Sequence, residues 1–251
     1  MLVMGILNVT PDSFADGGKH NDFEAAVSRG LEMIAEGVDI IDIGGESTRP
    51  GADRVSEDEE IARTIPVIKE LAKHGVKISI DTMRASTAKA AIEAGASIIN
   101  DVSGGLADPL MLQTAAALNV PYIAMHWRGQ SKDMNSKAIY GDVVSDVISE
   151  LQERIDAALD AGISADNLII DPGLGFAKDA DHNWAIIDAI DQFVAMGFPV
   201  LVGASRKRFL GGDSPDEREQ ATIDLTKRLG NTGVWAVRVH SVKPHKEVLS
   251  A

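Results

Sequence analysis

With 251 residues, 45% of them hydrophobic, the chain can bury a sizeable core, either as one α/β barrel or as two smaller domains. A net charge of -14 excludes the concentrated basic surface that nucleic acid or an anionic membrane requires. The absence of cysteine excludes disulfides and thiolate-held zinc.

The chain opens on an apolar run, Leu2 to Leu7, which turns abruptly into the polar loop Asn8-Val9-Thr10-Pro11-Asp12-Ser13. That is a buried strand delivering polar groups at its C-terminal end. Phe23, Val27, Leu31 and Ile34 repeat at helical spacing, with Gly37 following as a C-terminal stop. Val38 to Ile43 is a β-branched run, and it leads into the loop from Gly44 to Gly51, too rich in glycine and proline to continue a strand or helix. That loop is expected to be mobile over the rim. Ser56 followed by Glu59 has a capping-box pattern, and Ile61, Ile65, Ile68 and Leu71 form a helical stripe in which Pro66 predicts a kink or a late start.

Lys77 to Asp81 reads as the third strand, Ser86 to Ala94 as a helix, Ser97 to Asn100 as the fourth strand, and Leu110 to Leu118 as the next helix. Tyr122 to Met125 is the fifth strand, and the unpatterned Arg128 to Tyr140 is a loop. Val144, Ile148, Leu151, Ile155 and Leu159 give the clearest helical stripe. Leu168 to Ile170 is the sixth strand. Trp184, Ile187, Ile190 and Val194 read as one helix, and Val200 to Val202 as the seventh strand. Ala221, Leu225 and Leu229 mark another helix, Val234 to Val239 the last strand, and Pro244 to Ala251 a short closing helix.

Eight alternations with short connections and no break in composition predict a single-domain (β/α)8 TIM barrel over residues 1–251. An open doubly wound sheet is the alternative. No G-x-G-x-x-G follows the first strand and no G-x-x-x-x-G-K-[ST] occurs, so the glycines argue against it. No basic-then-apolar leader precedes the first strand and no run approaches the length of a membrane span, so a cytoplasmic protein is expected.

In a barrel, chemistry sits at the C-terminal rim. Asp81, Asn100, Asp171 and Lys207 each end a different strand, so a barrel would bring two carboxylates, an amide and an ammonium together. That set suits a flat heterocycle with an amino-pyrimidinone edge and would stabilise a developing cation. The bland reading is a salt-bridge network among Asp81, Asp171 and Lys207, while Thr82, Asp101 and Asp108 read as helix caps. Arg49, Arg238 and His240 with Asn8 form a second group suited to an anionic leaving group. His240 and His126 are equally readable as satisfied structural histidines, and no metal-binding spacing supports zinc. A weakly held Mg²⁺ arriving with a phosphate is the more fitting metal.

Five stretches in order resemble the dihydropteroate synthase family: Asn8 to Phe14, Gly44 to Gly51, Asp171 to Phe176, Ser205-Arg206-Lys207 and Arg238-Val239-His240. The resemblance implies a transferase of folate biosynthesis. It would condense 6-hydroxymethyl-7,8-dihydropterin diphosphate with 4-aminobenzoate, releasing diphosphate, and would be a target of sulfonamide analogues. By position, it implies that Asp81, Asn100, Asp171 and Lys207 hold the pterin edge, with Arg238 against the ring face. Asn8 would bind Mg²⁺, and Arg238 and His240 would assist the leaving diphosphate. Thr48, Arg49 and Pro50 would form the aminobenzoate pocket with Phe176, Ser205 and Lys207. It also implies a homodimer with no nucleic-acid or membrane partner. Ser241 stands where the family's motif continues with aspartate, so no carboxylate acts there. The competing readings are a non-catalytic pterin-binding paralogue acting as a partner subunit, and a pterin-dependent methyltransferase barrel that would need cobalamin.

Overall fold

The computed structural model describes residues 1–10, 18–46, 54–130 and 134–250, without the side chains of residues 18–21 and 135. The loop after the second strand, expected to be mobile, lies largely outside the described residues, as do Thr48, Arg49 and Pro50.

Strands and helices alternate along the chain: β1 Leu2–Asn8, α1 Gly18–Ala35, β2 Ile40–Gly44, α2 Glu57–Leu71, β3 Lys77–Asp81, α3 Ala85–Ala94, β4 Ile98–Asp101 and α4 Met111–Leu118. They continue with β5 Tyr122–Met125, α5 Val143–Asp160, β6 Leu168–Asp171, α6 Ala180–Asp188, α7 Ile190–Val194, β7 Leu201–Val202, α8 Glu219–Leu229, β8 Ala236–Val239 and α9 Lys243–Ser250. All strand pairs are parallel, in the order β6-β5-β4-β3-β2-β1-β8-β7. A single parallel bridge between Ile170 and Val200 joins the two outer strands and closes the barrel. Among the described residues no helix is long and apolar enough to cross a membrane.

Each strand must be apolar on both faces, because helices cover one side and the barrel interior the other. The larger core fills the space between strands and helices, from Val3 and Leu7 through Ile41, Ile78 and Ile99 to Phe193 and Leu229. A smaller cluster of Met4, Ile40, Ile98, Ile123, Ile169, Leu201 and Ala236 plugs the barrel itself. Side chains two apart on a strand share a face. The plug residues Ile40, Ile98, Ile169 and Ala236 are therefore each followed, one step towards the rim, by Asp42, Asn100, Asp171 and Arg238. The apolar plug is the floor on which a polar layer rests.

Several details differ from the sequence reading. Helix α2 begins on Ser56, whose side chain accepts from the Glu59 N–H, and it runs through Pro66 without a late start. The stripes drawn through Leu31 and Leu159 meet the core except at these two residues, which are exposed, while Ala26 and Met33 of α1 and Val143, Val147 and Ala158 of α5 are buried. One long helix was expected from Trp184 to Val194. The chain instead breaks at Ala189, where φ -102 and ψ 19 leave the helical region, and Trp184 faces outward.

Candidate active site

The rim brings together the ends of β2, β3, β4, β6 and β8. Asp42 on β2 is fully buried, and its Oδ2 accepts from Asn100 Nδ2 at 3.0 Å and from Arg238 Nε at 2.6 Å. Arg238 extends the fork to Asp81, its second nitrogen donating to Asp81 Oδ2 at 2.7 Å. Asp81, Asn100 and Arg238 therefore form one network, with Asp42 at its hub. In the bland reading Asp81 would pair with Asp171 and Lys207 in one network; its ion pair is instead with Arg238, at 2.7 Å. Asp42 Oδ1 is buried and has no hydrogen-bond partner among the described residues.

Asp171 sits across the mouth, its Oδ1 accepting the Gly173 N–H at 2.7 Å. Lys207 donates to the Leu174 carbonyl and lies 4.7 Å from the centre of the Phe176 ring. Gly175, at φ +75, leaves the space that the lysine stem occupies, since a Cβ there would stand 2.8 Å from Lys207 Cδ. Ser205 and His240 also meet: the Ser205 hydroxyl lies 2.9 Å from His240 Nδ1 and accepts the His240 N–H at 3.2 Å. Ser241 accepts from Arg206 at 2.9 Å, so the residue in the family's aspartate position serves to hold that loop. Asn8 ends β1, half-buried and paired in register with Gly44.

Burial sets the protonation of this layer. It pushes the Asp81 carboxyl up to about 7 against the pull of Arg238, with Asp42, Glu60 and Asp101 adding to the push. Asp171 is raised by burial and pulled back by the Gly173 N–H, Lys207 and Arg238. Burial lowers the Lys207 ammonium to about 8, opposed chiefly by Asp171. Burial opposes the Arg238 charge too, but Asp42 and Asp81 outweigh it and raise the guanidinium further. Three carboxylates face two cations, a balance that favours N–H donors and a growing positive charge.

One wall of the mouth is apolar. Met83, Val102 and Met125 cluster with Trp127 and Phe176, and a shallow depression is lined by Met83, Val102, Trp127 and Phe176. A polar edge beside a flat apolar wall suits a planar heterocycle.

Two supporting networks were not legible in the sequence. Glu46 accepts from Arg54 Nε at 2.9 Å and the Val55 N–H at 3.2 Å, while Arg84 donates to Glu46, to the buried Glu60 and to the Val55 carbonyl. These bonds tie together the two residues that flank 47–53. Thr82, read as a cap, donates to Glu60 at 2.6 Å. Asp101 is a buried brace rather than a cap, accepting from Ser103, Gly105 and Tyr122. Asp108 serves two helix starts: its Oδ1 accepts the Leu110 N–H at 2.9 Å where α4 begins, and its Oδ2 accepts the Ala85 N–H at 2.8 Å that opens α3.

The second network surrounds His126 at the end of β5. Its Nε2 lies 2.9 Å from Glu150 Oε2 and its Nδ1 2.8 Å from Lys178 Nζ, which assigns the proton to Nε2. Burial and the Lys178 charge hold the ring down to about 4, with Glu150 resisting. Burial alone would raise Glu150, but hydrogen bonds from His126 and Arg128 win and hold it at about 2. Between pH 6.5 and 4 the unfolded histidine binds a proton that the folded one refuses, so stability present above pH 6.5 drains away as pH falls towards 4. Melting temperature is expected to decline across that window in the native protein, and more gently in His126→Gln, which has no titrating ring.

A closed parallel barrel that delivers carboxylates, an amide and two cations to one rim defines an enzyme of the (β/α)8 class. The chain matches the family of pterin binding enzymes over residues 4–240. It is 49% identical to the dihydropteroate synthase of Mycobacterium leprae, across 98% of this chain and 90% of that protein. A solved dihydropteroate synthase of Xanthomonas albilineans with 4-aminobenzoic acid superposes with a TM-score of 0.93, at 42% identity, covering 99% of this chain and 90% of the other. A second from the same organism, in complex with 7,8-dihydropteroate, gives a TM-score of 0.90 at 39% identity, with 99% and 91% covered. The chain belongs to the pterin-binding enzymes and, within them, to the dihydropteroate synthases, which makes it a transferase.

Proposed function

We propose that the protein condenses 6-hydroxymethyl-7,8-dihydropterin diphosphate with 4-aminobenzoate, giving 7,8-dihydropteroate and diphosphate, and that the polar rim layer performs this chemistry. The observation that carries the reading is the convergence of Asp42, Asp81, Asn100, Asp171, Lys207 and Arg238 beside the apolar wall of Met83, Val102 and Phe176. The two X. albilineans structures named above, one with 4-aminobenzoic acid and one with 7,8-dihydropteroate, support it.

The amino-pyrimidinone edge presents several N–H donors and a carbonyl. Asp171 accepts from the edge, Lys207 donates to its carbonyl, and Asn100 completes the set with its amide. Arg238 lies against the ring face. When the C–O bond to diphosphate breaks, its electron pair leaves with the diphosphate and positive charge grows on the pterin methylene. The Asp81 carboxylate stabilises that charge, while Arg238 and His240 receive the departing anion. The aniline nitrogen then forms the C–N bond and sheds a proton. No protein nucleophile enters.

Phe176, Ser205 and Lys207 are assigned to the aminobenzoate pocket, as are Thr48, Arg49 and Pro50, which lie outside the described residues. A Mg²⁺ arriving with the diphosphate would be held by the amide oxygen of Asn8, which stands half-buried at the end of β1, and would neutralise charge at the leaving group. We further propose a cytoplasmic homodimer. No observation favours the non-catalytic paralogue or the cobalamin-dependent barrel.

Calorimetric titration with 6-hydroxymethylpterin tests the pocket. The native protein is expected to bind, and Asp171→Asn to lose about tenfold or more in affinity while melting normally, because a charged acceptor becomes a neutral one. Equal affinities would remove Asp171 from the site.

A further inference from the structure

Lys178 is a buried lysine that the reaction does not use. Its Nζ meets three acceptors: His126 Nδ1 at 2.8 Å, the Gly173 carbonyl at 3.1 Å and the Phe176 carbonyl at 3.1 Å. Three acceptors match the three N–H bonds of an ammonium. The turn so gathered is unfavourable by itself. Gly173 has φ +68, and a Cβ there would stand 2.4 Å from the His126 carbonyl oxygen. Ala177 has φ +49, a left-handed conformation that disfavours any side chain and is held in part by the Tyr140 hydroxyl, which donates to the Ala177 carbonyl at 2.9 Å. Lys207 takes the intervening Leu174 carbonyl. Two lysines therefore hold one strained turn, and Phe176 is presented between them.

We propose that Lys178 is a positioning residue for the aminobenzoate substrate: by clamping the carbonyls of Gly173 and Phe176 against His126, it sets the Phe176 ring. The inference rests on the reading of Phe176 and Lys207 as aminobenzoate-pocket residues. His126, anchored by Glu150, supplies the fixed end of the clamp, and Arg128 ties the same carboxylate to the carbonyls of Lys137 and Ile139.

Steady-state kinetics on the full chain test it, with each substrate varied in turn for the native protein, Lys178→Met, Phe176→Ala and the double variant. Lys178→Met is expected to raise KM for 4-aminobenzoate about tenfold, the effect of one lost charged hydrogen bond, and to leave KM for the pterin diphosphate unchanged. The double variant is expected to be no worse than Phe176→Ala, because both changes act through one ring. An unchanged aminobenzoate KM in Lys178→Met, with Phe176→Ala impaired, would overturn the inference; so would equal rises in both KM values, which mark general loosening. An unchanged KM in Phe176→Ala would remove the pocket reading itself, and the inference would fall with it. If Lys178→Met does not fold, His126→Phe removes one of the three acceptors and is expected to shift the aminobenzoate KM in the same direction by less. A folded His126→Phe protein with native KM values would overturn the inference equally.

Discussion

Lys207→Ala is expected to leave the barrel folded and to lower kcat/KM by roughly a thousandfold, the scale of losing a preorganised charged donor in a water-poor site. The fold is expected to survive because Lys207 stands at the rim, outside the plug and outside the layer between strands and helices. Three consequences of the change act together. Leu174 loses the donor to its carbonyl, the Phe176 face loses its cation, and Asp171 loses an opposing charge, so its already raised carboxyl moves further up. Lys207→Arg is not expected to restore activity, because a broad planar fork does not reproduce the compact ammonium that meets the Leu174 carbonyl and the Phe176 ring. Circular dichroism and melting measured beside the kinetics separate loss of chemistry from loss of structure. A variant of native activity would contradict the role given to Lys207.

The second large effect falls on a residue whose importance is structural as well as chemical. Asp42→Ala is expected to cost about 3–5 kcal/mol of stability, the range for removing one partner of a buried ion pair. Arg238 Nε and the Asn100 amide lose their shared acceptor, and the guanidinium is left leaning on Asp81 alone. In a chain of this size that loss corresponds to a melting temperature lower by roughly 10 °C. Asp42→Asn keeps an acceptor oxygen, so it is expected to melt closer to the native protein and yet bind pterin poorly, because Arg238 is no longer held by a full charge. Denaturant unfolding of both variants, with pterin titration of the asparagine form, checks the pair of expectations. An alanine variant as stable as the native protein would show that Arg238 finds another partner.

Asp42 also shows where sequence reading stops. Asp81, Asn100 and Asp171 were legible because each closes an apolar run, and the end of a run is where a barrel strand meets its rim. Asp42 lies inside Ile40-Ile41-Asp42-Ile43 and was absorbed into the strand. A signal was present: the same apolar residue followed two positions later by a polar one occurs at Ile40 and Asp42, at Ile98 and Asn100, and at Ile169 and Asp171. That is the period of one strand face, and it marks all three as members of one interior layer.

Lys178 left no comparable trace, since a lysine in a glycine-containing loop is ordinarily a solvated residue; only the fold brings His126 to it. The break at Ala189 was hidden because apolar spacing continues in register across it. The stripes of α1 and α5 meet the core except at Leu31 and Leu159, which are exposed. In α5, Val143 and Val147 are buried, and Val144 and Ile148 pack partly buried against the same core.

The rim layer is assigned the conversion of two substrates into one product and diphosphate. The most direct measurement is diphosphate release by the purified chain with Mg²⁺ and 6-hydroxymethyl-7,8-dihydropterin diphosphate, with and without 4-aminobenzoate, and with dihydropteroate followed chromatographically. Equal amounts of diphosphate and dihydropteroate, formed only when both substrates are present, are the predicted result. Pterin binding with neither diphosphate nor dihydropteroate formed would contradict the account and leave a barrel that holds the ring without performing the transfer.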